Sequence, residues 1–119
     1  MSEEKSQQRK WTREEVVILV TEYFRTKNMP SSEIEESYHR ISDFLRKKEQ
    51  IDTGKLVSNM FRNYAGIRMQ TARIKCIAPD TNLSGMKGTK LQKQIVNEFL
   101  QDPKLMYSEA EAIYKKYNG

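Results

Sequence analysis

Cysteine and histidine are nearly absent: Cys76 and His39 are the only ones in 119 residues. One cysteine cannot close an internal disulfide, and the pair cannot supply the four ligands of a structural zinc site, which excludes zinc fingers and a self-contained His-metal nuclease. No metal or organic cofactor is expected. Long apolar runs are missing too, since the densest, residues 16–20, falls far short of the roughly 20 residues that span a bilayer. The first ten residues are polar throughout, unlike the apolar stretch of a secretory signal. A cytoplasmic protein without membrane attachment is the expectation. The five glycines form neither a phosphate loop nor a nucleophile elbow, and Glu35 and Glu36, adjacent on a helix, diverge around its axis rather than pairing as acid and base. A non-enzymatic role follows.

What is present favours helices. Apolar residues make up 37% of the chain and charged residues 31%, a balance that suits helices with one buried face and one solvated face. Residues 1–10 lack periodicity and read as a disordered leader, and residues 11–119 fit a single domain. The fold expected is all-α, a compact bundle of five to six short helices containing a helix-turn-helix-like unit. Thr12 and Glu15 have capping-box spacing and open a helix whose stripe is Val16, Val17, Leu19, Val20, Tyr23 and Phe24, with Trp11 as a staple before it. A second helix starts at Ser32, again at capping-box spacing to Glu35, and buries Ile34, Tyr38, Ile41, Phe44 and Leu45. Its acids at 33, 35 and 36 and its cations at 46–48 would complement the two ends of the helix dipole. Thr53-Gly54 breaks the chain.

Residues 55–61 then offer a short helix with Leu56, Val57 and Met60 for burial, followed by the polar turn Arg62-Asn63. A longer helix runs over 64–77 with Asn63 as its cap and Ile67, Ile74 and Ile77 inward, and Ala78-Pro79 stops it because proline disfavours helical geometry before it. After a loop over 80–88, Thr89 and Gln92 have capping-box spacing for a helix burying Leu91, Ile95, Val96, Phe99 and Leu100. Asp102-Pro103 opens the last helix, with Leu105, Met106, Ala110, Ile113, Tyr114 and Tyr117 as its stripe.

The net charge of +5 is unevenly spread. Residues 55–93 hold eight cations against Asp80 alone, a local +7, and the rest of the chain carries −2. A short helix, a turn and a longer helix in that segment form the arrangement in which the second helix enters the major groove of double-stranded DNA. Arg68, Gln70, Thr71 and Arg73 are the candidates for base edges, because arginine suits the paired acceptors of guanine, glutamine suits adenine, and threonine suits a base edge or a thymine methyl. Arg62, Lys75, Lys87 and Lys90 are the candidates for phosphates, and Asn63 and Thr89 stand at helix N-termini, where free N–H groups attract an anion. Tyr64, at the start of a helix, reads as a packing residue rather than a base stacker.

Residues 61–69, Phe61-Arg62-Asn63-Tyr64-Ala65-Gly66-Ile67-Arg68-Met69, with the opening Trp11-Thr12-Arg13-Glu14-Glu15, Tyr23-Phe24, the terminating Pro79 and the loop Gly85-Met86-Lys87-Gly88, resemble the N-terminal helical domain of bacterial HNH-type restriction endonucleases. The likeness runs over about residues 10–117. It implies a DNA-recognition module of a restriction or defence system, with a nuclease or other protein as a further partner. It does not imply cleavage by this chain. Thr71, Arg73, Ile74 and Ala78 depart from the leucine, asparagine, phenylalanine and aspartate of that pattern, so no sequence preference carries over. The competing reading is a protein-interaction module, a small phage or mobile-element inhibitor or an adaptor, presenting Tyr107, Tyr114 and Tyr117 of the last helix.

Overall fold

The computed structural model describes residues 9–78 and 87–118, which form five helices and, among the described residues, no strand. The first, α1 (Arg13–Thr26), lies at the centre and packs against all four others, α2 (Ser31–Thr53), α3 (Tyr64–Ile77), α4 (Lys90–Gln101) and α5 (Pro103–Asn118).

Sequence had assigned α1 a single stripe, but Val16, Val17, Ile18, Leu19 and Val20 are all fully buried and Thr21 nearly so. A helix apolar on every side must be enclosed on every side. Its β-branched run is a modest helix former, so packing rather than propensity holds it. The capping box starts it: Thr12 N–H donates to Glu15 Oε1 at 2.9 Å, and the Glu15 N–H donates to Thr12 Oγ1 at 3.4 Å. Ahead of the buried run stand three charged residues that fan out to different neighbours. Arg13 reaches Glu98 on α4 at 2.6 Å and Glu109 on α5 at 2.8 Å. Glu14 meets Lys48 of α2 at 3.1 Å and Lys116 of α5 at 3.4 Å. Glu15 accepts from Arg9 at 2.9 Å and from Arg62 at 3.0 Å. One turn of helix thereby ties α2, α4, α5 and the turn before α3 to the centre.

The second helix begins one residue before the expected start, with Pro30 in the cap position and no side-chain cap, and it runs on to Thr53. Arg46, Lys47 and Lys48 are therefore internal to the helix, and the dipole account of that cluster is corrected. Lys48 is buried, and its ammonium lies 3.0 Å from Asp52 as well as beside Glu14. The helix ends at Gly54, whose φ of 70° is left-handed and whose N–H donates to Gln50 O at 2.8 Å. Arg9, placed in the leader by sequence, is held by Glu15 and by Glu49 at 2.5 Å; residues 1–8 lie outside the described residues.

Residues 55–61 do not form the expected helix. Leu56 and Met60 are 80% and 65% exposed, so the spacing that suggested an apolar face has nothing to pack on. Side chains of α2 replace the missing helical hydrogen bonds: Arg46 Nη1 donates to Ser58 O at 2.8 Å and Phe61 O at 2.7 Å, and Ser42 Oγ donates to Arg62 O at 2.8 Å. Arg62, at a left-handed φ of 47°, turns the chain into α3. The helix-turn-helix unit is thus not confirmed, because its first helix is absent.

The bounds of α3 agree with the sequence reading. Asn63 Oδ1 accepts the Gly66 N–H at 2.9 Å, and Ala78 is extended, as the following proline requires. Thr71 joins Ile67 and Ile74 on the buried face, while Ile77 is only half-buried. In α4 the Thr89 and Gln92 box forms. Leu100 and Leu105, assigned to the core, are 44% and 65% exposed, because α4 and α5 turn narrower faces inward than their apolar content suggests.

Candidate functional site

The candidate DNA contacts separate into three groups. Arg68 and Lys75 are exposed on α3, and Lys87 and Lys90 are exposed at the start of α4. Arg68 makes no ion pair among the described residues. These four stay on the surface.

A second group serves its own fold. The Gln70 side chain accepts from Gln92 Nε2 at 2.6 Å, locking α3 to α4. Arg73 is half-buried, its Nη1 directed at Lys87 O at 3.4 Å and its Nε buried without a hydrogen-bond partner. Asn63 and Thr89 are capping residues, and the Thr89 oxygen already accepts the Gln92 N–H at 3.0 Å.

The third group is lost to the interior. Thr71 is 6% exposed, so its hydroxyl is not presented to a base edge. Arg62 is 4% exposed and cannot be a phosphate contact. Its guanidinium bonds Glu15 and donates to Arg9 O at 3.1 Å, between the rings of Trp11 and Phe61 at 4.2 and 4.4 Å. Burial pushes the Glu15 carboxyl pKa up, but hydrogen bonds from Arg9 and Arg62 outweigh it and hold the group below the ordinary value. The partner of Arg62 lies 47 positions away. No local spacing signalled it, and Trp11 had been read only as a staple before α1.

The surviving cations form a coherent surface. Along α3 the exposed residues Ala65, Arg68, Met69 and Lys75 make a crest, and the helix contains three cations and no acid. A groove flanks that crest on each side, one of about 610 Å³ against α1 and α2 and one of about 370 Å³ against Trp11 and Met60. Tyr64 is half-buried and held in place: its ring stacks on His39 at 4.4 Å and its hydroxyl donates to Glu35. The tyrosines offered as an interface are corrected in part, since Tyr114 and Tyr117 pack on Phe44 and only Tyr107 is exposed.

Among the described residues no group of acids, cysteine and histidine is placed to hold a metal ion, and no helix is long and apolar enough to cross a membrane. No family model, curated protein or solved structure matches the chain.

Proposed function

We propose that this all-helical domain is a DNA-binding module that lays α3 against a duplex. One observation carries the reading: the exposed face of a helix without acids lies beside the basic start of α4, where Arg73 reaches the Lys87 carbonyl. Arg68 is the residue for a base edge, where its fork can take both acceptors of guanine. Lys75, Lys87, Lys90 and Lys93 meet phosphates, and Ala65 and Met69 on the crest suit thymine methyls. Arg62, Thr71 and Gln70 have no part in it. The likeness of residues 61–69 to the recognition domain of HNH-type restriction endonucleases supports the same reading, and with it a role in sensing sequence or base modification in a defence system.

The test is a salt titration of binding to a fluorescent duplex. Four cations on phosphates predict a slope of log affinity against log salt of about −4. The double substitution Lys75→Gln, Lys87→Gln should flatten that slope by about 2 and weaken binding to every sequence alike. Arg68→Gln should instead erase the preference among sequences selected from random duplexes, a cost of about 1–3 kcal/mol. A slope near zero, or duplex binding indifferent to all three substitutions, overturns the proposal.

A further inference from the structure

The larger groove is more than the flank of a recognition helix. Its walls are the C-terminal end of α1, the N-terminal half of α2 and α3, and its volume of about 610 Å³ lies within the range of small-molecule sites. Ile34, Ile41, Ala72 and Met69 give it an apolar lining. Lys27, Arg68 and Lys75 also line it, and among the described residues no carboxylate is part of the lining itself. Two acids stand behind lining residues: Glu35 accepts from the Tyr64 hydroxyl, and Glu22 accepts from Ser37 at 2.9 Å and is paired with Arg25 at 2.9 Å.

Its polar groups are sorted in the same way. The hydroxyls of Thr26 and Ser37 donate inward to Glu22, to its carbonyl and its carboxylate, so neither is left for a ligand. Thr71, more than nine-tenths buried, is the exception, for it lines the groove and its Oγ1 has no hydrogen-bond partner. Burial pushes the Tyr23 and Tyr38 hydroxyls up in pKa, so both remain neutral donors at physiological pH.

An apolar cleft with the Arg68 guanidinium on its wall, a group that makes no ion pair among the described residues, suits a ligand with an apolar body and a negative head. A duplex is too wide to enter such a cleft, and inorganic phosphate leaves its apolar walls in water. We infer that the groove binds a small amphipathic carboxylate, an aryl or medium-chain alkyl acid, whose body covers Ile34, Ile41 and Ala72 and whose carboxylate takes the Arg68 guanidinium. Arg68 and Lys75 belong also to the ridge proposed to meet DNA, but this binding is read with no nucleic acid present, so the two readings fail separately.

The experiment is a titration of the isotopically labelled full chain with 2-naphthoate and with decanoate, followed by amide chemical shifts. Saturable shifts confined to residues around 23–41 and 64–75 are the expected result, with dissociation constants below about 1 mM. The neutral 2-naphthalenemethanol should bind at least tenfold more weakly, and so should either acid to Arg68→Gln. Ala72→Leu fills the cleft and should abolish binding; should that variant fail to fold, the exposed-rim variant Ala65→Trp replaces it. Absence of saturation by both acids overturns the inference. Equal binding of acid and alcohol, or shifts centred on residues outside the groove, overturns it as well.

Discussion

Replacing Arg62 by methionine separates a residue that holds the fold from one that meets DNA, two roles that sequence alone had merged. Methionine keeps the flexible apolar volume between Trp11 and Phe61, and like arginine it must adopt the left-handed φ of 47°, so the backbone cost is common to both proteins. What disappears is the guanidinium, with its bonds to Glu15 at 3.0 and 3.2 Å and to Arg9 O at 3.1 Å. Breaking a buried ion pair costs about 3–5 kcal/mol when the remaining charge is stranded. Glu15 is not fully stranded, because Arg9 still bonds both of its oxygens, at 2.9 and 3.1 Å, and the Thr12 N–H a third time. The lower end, about 3 kcal/mol, is therefore the expected loss, which for a domain of this size lowers the melting temperature by roughly 10 °C.

Glu15→Gln should cost more, about 4 kcal/mol, since it removes the carboxylate from two guanidiniums at once and weakens the capping box. Combining Glu15→Leu with Arg62→Met should cost clearly less than the two single losses added, because an apolar pair strands no charge. Thermal and urea unfolding followed by circular dichroism measure all of these. Duplex affinity of folded Arg62→Met should equal that of the parent chain. A stability loss below about 1 kcal/mol, or a folded variant with reduced DNA affinity, refutes the interior role of Arg62.

Acid should destabilise the protein in a defined window. Burial raises the pKa of Glu15 and of Asp52, but Arg9 and Arg62 for the first, and Tyr117 and Lys48 for the second, pull each below its ordinary value of 4.5 or 3.8. A carboxylate depressed on folding binds fewer protons folded than unfolded, so its stabilisation is complete above the unfolded value and drains away as pH falls through the folded one. Melting temperatures should be level in this respect between pH 7 and 5 and fall below about 4.5, and Glu15→Gln should shallow that fall; an unchanged profile in the variant rules the network out as its source. Thr89→Ala removes a helix cap and should cost about 1 kcal/mol in urea unfolding while leaving the salt slope of DNA binding intact, whereas a slope reduced by about 1 would show the hydroxyl region meeting phosphate.

Local chemistry made the helix starts legible except that of α2, where the Ser32 and Glu35 box does not form. Thr12 with Glu15, Asn63, and Thr89 with Gln92 each announce a cap through residues at most three apart, and all three form. Features that depend on distant partners were hidden. Residues 55–61 carried a helical spacing of apolar groups, but Arg46 and Ser42 of α2 hold that stretch by its carbonyls in another shape. Lys48 looked like a helix-end cation until its helix proved to continue for five more residues and bring Asp52 beneath it. Of the ten candidate contacts on DNA, Arg68, Lys75, Lys87 and Lys90 keep an open surface, while Arg62 and Thr71 are lost because a basic or polar residue reads alike whether it faces water or a buried carboxylate.

The central helix explains why the positive charge gathers where it does. A helix enclosed on all sides needs neighbours fixed around it, and its first turn fixes them through charge: Arg13 takes acids from α4 and α5, Glu14 takes cations from α2 and α5, and Glu15 takes Arg9 and Arg62. Acids near that end are thereby committed within the bundle. The packing of α3 needs none, because its buried residues, Ile67, Thr71 and Ile74, are uncharged. Arg68 is consequently carried on a helix that has no acid of its own and makes no ion pair among the described residues, so its field extends outward, and the proposed contact with DNA rests on that charge.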